Sequence, residues 1–237
     1  MSKSEDLKLE NVSLADRGAI AEIIARANFD DPYGQTVWPD STIESRIAGS
    51  HARLPKTLLG PGNWFQKVTQ GGKPVAYAQW TLPIPLWERL NRENGGGIDA
   101  EADTQMRDQF NREYNGSCVS PGWPKGMRRE VVEACSPAME EANERVFSGD
   151  GDAIFLVQVK TLPEYQGRGA GSMLVGWGAD LADREGLPTH LEATPFGKGL
   201  YEKYGFANMA EVHHDVSRSG GPARYTHTLM IRKPAAV

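Results

Sequence analysis

The sequence predicts a mixed α/β fold, and three observations carry that prediction. A β-branched run, Val157 to Thr161, feeds a glycine-rich turn, Gln166 to Gly171, which opens directly into an amphipathic helix. Strand-type and helix-type hydrophobic periods alternate on both sides of this unit. Between Thr81 and Ile154 the alternation breaks down into a long stretch punctuated by proline and glycine.

Taken in order, Leu7, Leu9 and Val12 are spaced for a short first strand. Ser13 with Asp16 three residues on makes a capping-box start for a helix through Ile20, Ile23, Ile24 and Ala27, and the loop Asp30 to Gly34 ends it. Ser41 and Glu44 repeat the box, predicting a second short helix near residues 42 to 50. Trp64 to Thr69, then Gly71-Gly72, then Val75 to Thr81 reads as a β-hairpin.

Residues 83 to 150 read as an insertion into a single domain spanning 1 to 237, with Pro83, Pro85, Gly95 to Gly97 and Pro121 to Pro124 interrupting weakly helical stretches. Ser136 followed by Pro137 suits a cap and first helical turn, after which Met139, Ala142, Val146 and Phe147 line one face. From Ile154 the core resumes as strand, glycine-rich turn, helix (Met173 to Arg184), strand (Thr189 to Ala193), helix (Lys198 to Tyr204) and two closing strands (Phe206 to Val216, Tyr225 to Arg232).

Composition narrows the class of function. Hydrophobic residues make up 39% of the 237, enough for a core, and no run approaches the roughly 20 apolar residues of a membrane span. The segment Met1 to Glu10 is polar and lacks the apolar stretch of a signal peptide, and Cys118 and Cys135 lack metal-type spacing, so the cytoplasm is the expected compartment. The net charge of −5 lies wholly within residues 83 to 150, which hold 13 acidic and 8 basic residues. There is no basic stripe for a nucleic acid. The acidic segment reads as the wet faces of helices or as a field for a cationic substrate.

The glycine-rich turn is a phosphate cradle. Backbone N–H groups at a helix start have no intrahelical partners, the helix dipole adds positive potential there, and Gly167, Gly169 and Gly171 permit the close approach that a Cβ would block. Arg168 can add a charge. A Walker loop is excluded because Gly171 is followed by Ser172 and Met173 rather than Lys and Ser/Thr. A dinucleotide fingerprint fits imperfectly, although Glu192, about 20 residues on, stands where that fold keeps its ribose-binding acid. An NAD(P)-binding protein is therefore an alternative.

Val157 to Leu174, followed by Leu191 to Thr194 and then Leu200 to Phe206, resembles the GCN5-related N-acetyltransferase (GNAT) family, whose Q/R-x-x-G-x-G/A signature is realised as Gln166 to Gly171. The close match covers about residues 154 to 210. The resemblance implies a twisted, mostly antiparallel sheet of six or seven strands flanked by helices, with a parallel pair splayed where acetyl-CoA enters. It implies a pyrophosphate site on the backbone of Gln166, Gly167, Arg168, Gly169, Ala170, Gly171 and Ser172, and a bulged strand whose free groups at Val159, Lys160 and Thr161 bind pantetheine. The Val159 N–H would stabilise the oxyanion. Tyr201 stands where many members keep a tyrosine that protonates the leaving thiolate, and Tyr204 reads as its packing partner. The position often held by Asn in the family is Thr194, whose hydroxyl can still bond the pantetheine.

The reaction so implied is direct attack of an amine on the thioester in a ternary complex, which needs a base. Glu192, at the end of a strand, and Asp30 and Asp31, on the loop that often covers substrate, are the candidates. His213 and His214 are adjacent on a strand and point to opposite faces, His190 and His51 read as surface or core residues, and no metal site is expected. Glu133 with Glu130 could bind a cationic acceptor, and Trp80, Trp87 and Trp123 could wall its pocket. The acceptor is expected to be a small-molecule amine and the protein a monomer or homodimer. A non-catalytic acyl-CoA-binding module on the same fold is the competing class.

Overall fold

The computed structural model describes residues 7–94, 108–109, 111–116, 118–120, 123–149 and 151–235. Gly95 to Gly97 and Pro121-Gly122, singled out in the sequence, lie outside the described residues. Seven strands form one sheet: β1 (Leu7–Asn11), β2 (Asn63–Gln70), β3 (Lys73–Thr81), β6 (Ile154–Thr161), β7 (Thr189–Ala193), β8 (Ala207–His214) and β9 (Tyr225–Arg232). Their order is β1-β2-β3-β6-β7-β9-β8, and a two-stranded ribbon, β4 (Cys118–Ser120) with β5 (Trp123–Pro124), stands apart. Only β6 and β7 pair in parallel, the rest of the large sheet being antiparallel.

The mixed fold, the hairpin β2–β3 and the elements after Ile154 agree with the sequence expectation. The helix ends differ in instructive ways. Residues Pro32–Val37 form a short helix, α2, where a loop was expected, because Asp31 accepts the Gly34 N–H at 2.7 Å and Pro32 occupies the first helical position. The box expected from Ser41 and Glu44 is made one residue later by Thr42 and Ser45. The helix that follows, α3, runs Ile43–Leu58, past the expected end near residue 50. It passes through Pro55, whose missing N–H leaves the His51 carbonyl without its usual donor, and Arg17 Nε fills that place at 2.6 Å.

The same correction applies in the inserted segment. Ser136-Pro137 does not start a helix: α5 spans Arg129–Phe147 with Pro137 inside it, and the Ser136 hydroxyl bonds back to the Val132 carbonyl at 2.9 Å. The face Met139, Ala142, Val146, Phe147 packs as expected, against Val212 and Leu229 of β8 and β9. Helix α4 (Ile84–Glu93) precedes α5. None of the described helices is long and apolar enough to cross a membrane.

Helices cover the sheet on both faces. On one lie α1 (Arg17–Ala27), α3 and α5, with Ile20 and Ile23 packed on Tyr77 of β3. On the other, α6 (Ala170–Glu185) packs Leu174 and Val175 onto Trp80, Leu156, Leu191 and Met230. The closest approach is at Gly178, where a Cβ would lie 2.0 Å from Trp80 Cη2. The Trp80 indole is 0% exposed, which removes it from the candidate pocket walls and makes it the core against which α6 is seated. Gly178→Ala is therefore expected to destabilise by about 3 kcal/mol through overpacking. Gly18→Ala, in α1 with nothing within 4 Å, is expected to be neutral or slightly stabilising. Urea unfolding of both variants checks this pair.

Candidate active site

The glycine-rich turn folds as a cradle. Gly167 and Gly169 hold φ values of +71° and +99°, a region closed to side chains without strain, and no atom stands within 4 Å of where their Cβ atoms would be. Gly169 is the residue before the first turn of α6, and no side chain caps that turn among the described residues. The first N–H groups of a 16-residue helix are thus presented outward beside an open glycine surface. The Gln166 amide braces the turn by donating to the carbonyls of Thr161, at 3.1 Å, and Ala27, at 3.4 Å, while Arg168 lies over the Tyr165 ring at 5.3 Å.

Beside the cradle, the sheet opens. Across β3 the register runs Gln79 with Gln158 and then Trp80 with Leu156, so Val157 is an extra residue, a β-bulge in β6. The parallel ladder to β7 stops at the same point, with Leu156 and Leu191 its last pair. The bulge also reverses which way the backbone faces. Ile154 donates toward the β7 side, to the Pro188 carbonyl, whereas Leu162 donates to Val75 of β3. By strand alternation the N–H groups of Val159 and Thr161 are turned to the side that β7 has left. Their side chains lie against Gly171 of α6, with Val159 Cγ1 3.9 Å and Thr161 Oγ1 4.0 Å from the position of a Cβ there.

Tyr201 lies on α7 (Lys198–Lys203), packed edge-on against Phe206 with ring centroids 6.0 Å apart. Gly197 makes room for it, since a Cβ there would be 2.8 Å from Tyr201 Cε2. Burial pushes the phenol up to about 12, which keeps it protonated as a donor. Tyr204 is a packing residue: its hydroxyl donates to the Ser172 carbonyl at 2.7 Å, tying α7 to the first turn of α6. The Thr194 carbonyl receives the N–H groups of Gly197 and Lys198, so Thr194 anchors the start of α7.

On the opposite face of the sheet, a cavity of 770 Å³ is bounded by α1, α3 and the side chain of Lys160. Trp38, Arg46 and Arg53 line it. Burial, with Arg46 adding repulsion, pushes the Lys160 ammonium down to about 8. Beyond it Asp31 is buried and receives the Tyr225 hydroxyl at 2.9 Å. Tyr33 stacks on Tyr225 at 5.1 Å and meets His227 edge-on at 5.8 Å. Neither His214 Nε2 nor His227 Nδ1 finds a hydrogen-bond partner among the described residues, and burial, with His214 adding repulsion, pushes His227 down to about 4.

The acetyltransferase (GNAT) family model matches residues 29–206, three quarters of the chain. The chain belongs to the GNAT family. As a GNAT member it is an acetyltransferase by class, and solved structures share its fold. A Corynebacterium glutamicum protein described as histone acetyltransferase HPA2 and related acetyltransferase is 18% identical, with 98% of each chain covered and a TM-score of 0.58. A polyamine N-acetyltransferase of Drosophila melanogaster is 14% identical over 96% of this chain and 100% of its own, at a TM-score of 0.56. An arylalkylamine N-acetyltransferase 2 of Aedes aegypti is 14% identical over 98% and 100%, at 0.53.

Against this family background, the residues singled out in the sequence separate into two groups. Gln166 to Ser172, Val159, Thr161, Thr194 and Tyr201 fall around one opening in the sheet and its glycine-rich rim, whereas Lys160, expected there too, turns its backbone to β3 and its side chain to the opposite face. The candidates for the base do not gather. Glu192, the first β7 residue beyond the paired stretch, shares the cavity's sheet face and accepts from Asn143 of α5 at 2.7 Å. Asp30 is exposed, and its neighbour Asp31 is the buried one, with both carboxylate oxygens occupied by Gly34 and Tyr225. Glu133 is exposed and paired with Arg129 one turn away, so it does not reach the cavity. Trp87 donates to the Asn63 carbonyl at 2.9 Å and Trp123 lies under Arg129, leaving Trp38 as the tryptophan of the cavity wall. His213 is exposed and His214 buried, as strand alternation requires.

Two expected outcomes follow. Tyr225→Phe leaves a buried Asp31 oxygen without its donor and lowers unfolding free energy by about 1–3 kcal/mol in urea. His227 binds its proton near 4 in the folded state and near the ordinary imidazole value of about 6.5 when unfolded. The unfolded chain therefore takes up the proton first, and stability falls as pH drops from about 6.5 to 4. His227→Asn should flatten that part of the curve, measured by urea unfolding across the pH range.

Proposed function

We propose that this chain is an acetyl-CoA-dependent N-acetyltransferase of a small-molecule amine, working by direct attack within a ternary complex. The observation that carries the reading is the coincidence of three features: the Val157 bulge, the end of the β6–β7 ladder and the uncapped glycine-rich start of α6. These residues fit the donor. Positive-φ glycines and free helix N–H groups suit a pyrophosphate, and the N–H groups of Val159 and Thr161 suit an amide-bearing arm in the opening. When bound, acetyl-CoA supplies the acetyl group as an activated thioester.

The chain's own residues do the rest. Gln166 to Ser172 hold the phosphates, with Arg168 adding charge at the exposed rim. Val159 N–H donates to the negative charge that builds on the acyl oxygen as the amine attacks. Tyr201, kept neutral by burial, donates to the sulfur as the C–S bond breaks and the C–N bond forms. Glu192, on the acceptor face at the mouth of the opening, takes the proton from the incoming ammonium, oriented by Asn143. Thr194 positions α7 and so Tyr201. The dinucleotide reading of the same turn loses its support with the fold, because the sheet is not doubly wound and Glu192 is not at a ribose site. The two cysteines are unbridged, which supports the cytoplasm as the place of work.

Thiol release from acetyl-CoA over an amine library tests the activity. With an active amine, Tyr201→Phe is expected to lower kcat about a hundredfold while CoA binding is kept. Glu192→Gln should lower kcat while leaving CoA binding intact. Gly169→Val, which forces a branched side chain into a φ of +99°, should weaken CoA binding in calorimetry. If no amine accelerates thiol release above hydrolysis, the reading is lost.

A further inference from the structure

We infer that the acceptor amine carries an anionic group, a carboxylate or a phosphate, which docks on Arg46, Arg53 and Lys160 in the cavity between α1 and α3. The inference rests on the acetyl-transfer reading above and specifies its second substrate. Three half-buried cations line one cavity of 770 Å³, a volume suited to a small molecule. None of the three is within ion-pair distance of a carboxylate among the described residues. Taking unpaired cations out of water is unfavourable, and an arriving anion offsets that cost.

What each cation already touches leaves charge to spare. Arg46 Nε donates to Ser41 Oγ at 2.7 Å, and its guanidinium lies 4.7 Å from the centre of the Phe29 ring. Its Nη2 reaches the Gly34 and Trp38 carbonyls only at 3.4 Å. Arg53 has no hydrogen bond among the described residues and stands 6.0 Å from the Trp38 ring. Gly49, one turn before it, gives it space: a Cβ there would lie 2.9 Å from Arg53 Nη1. Lys160 Nζ has only the Ile24 carbonyl, at 3.5 Å.

The acids nearby do not neutralise the set. Glu113 is held by Arg17, Asp31 is a single buried charge whose attraction is shared between Arg46 and Lys160, and Asp40 lies exposed at the rim, as does Lys125. Lys160 follows Val159 directly in β6, so the cavity lies across the strand from the opening beside Val159. Burial lowers Lys160 to about 8, yet at neutral pH the ammonium form still dominates. The acidic inserted segment, whose charge suggested a cationic acceptor, spends Glu133 on Arg129 outside the cavity.

The test uses matched acceptors sharing one amine: an amino acid, its carboxamide, its decarboxylated amine, an aminoalkyl phosphate and a linear polyamine. With acetyl-CoA, kcat/KM for the anionic members is expected to exceed that of the neutral and polycationic ones at least about tenfold. In Arg53→Gln the anionic-over-neutral ratio falls by about tenfold, mostly through KM, and Arg53→Lys restores part of it; thermal unfolding confirms that both variants fold. A preference for neutral or polycationic amines overturns the inference and leaves the transferase reading standing. Calorimetric binding of the anionic amines that Arg53→Gln abolishes, without turnover of any amine, supports the anion site while the transferase reading fails. Anionic amines that neither bind nor react overturn it outright.

Discussion

One inserted residue governs the site. Val157 adds a unit to β6 that β3 does not match, and the ladder to β7 ends beside it. The bulge takes up the extra residue, so the side chains after it keep the alternation that pairing with β3 imposes while the ladder to β7 is lost. The donors of Val159 and Thr161 face the opening while Gln158 and Lys160 line the opposite layer, where Gln158 accepts from Tyr77 at 2.7 Å. The same bulge thus separates a backbone-lined opening from a side-chain-lined cavity.

Charge is arranged on the same plan. The chain carries −5 overall, and its acidic excess lies in residues 83 to 150. The cavity beside α3 nonetheless has Arg46, Arg53 and Lys160 in its wall, with Asp40 and Glu113 also lining it. Net charge acts at long range and is screened within about 8 Å at physiological salt, so it says little about a half-enclosed pocket. Local desolvation decides there, and it disfavours the charged forms of Arg46, Arg53 and Lys160.

The sequence made the donor side legible because that side is built from backbone. Glycines at 167, 169 and 171 announce an open turn at a helix start, and Leu200 to Phe206 announce the short helix that carries Tyr201. The acceptor side was not legible. Arg46 and Arg53 are seven residues apart on a helix, a spacing that reads as a solvated face unless one knows what covers it; Gly49 between them was the available signal. Asp30 and Asp31 differ only in which side of a helix start they fall, and Trp80 differs from Trp38 only through the glycine in α6 that faces it. Helix ends erred where a proline inside a helix was rescued by a distant partner, as Arg17 does for His51, since such rescues are tertiary.

The Tyr225 to Asp31 hydrogen bond joins residues 194 apart in the chain. It ties the start of α2, which helps shape the acceptor face, to a strand made long after the glycine-rich cradle is complete. A chain halted before β9 would lack the hydroxyl that holds Asp31, and the acceptor wall would stay unfinished. The wall beside Asp31 thus rests on a residue from the far end of the polypeptide.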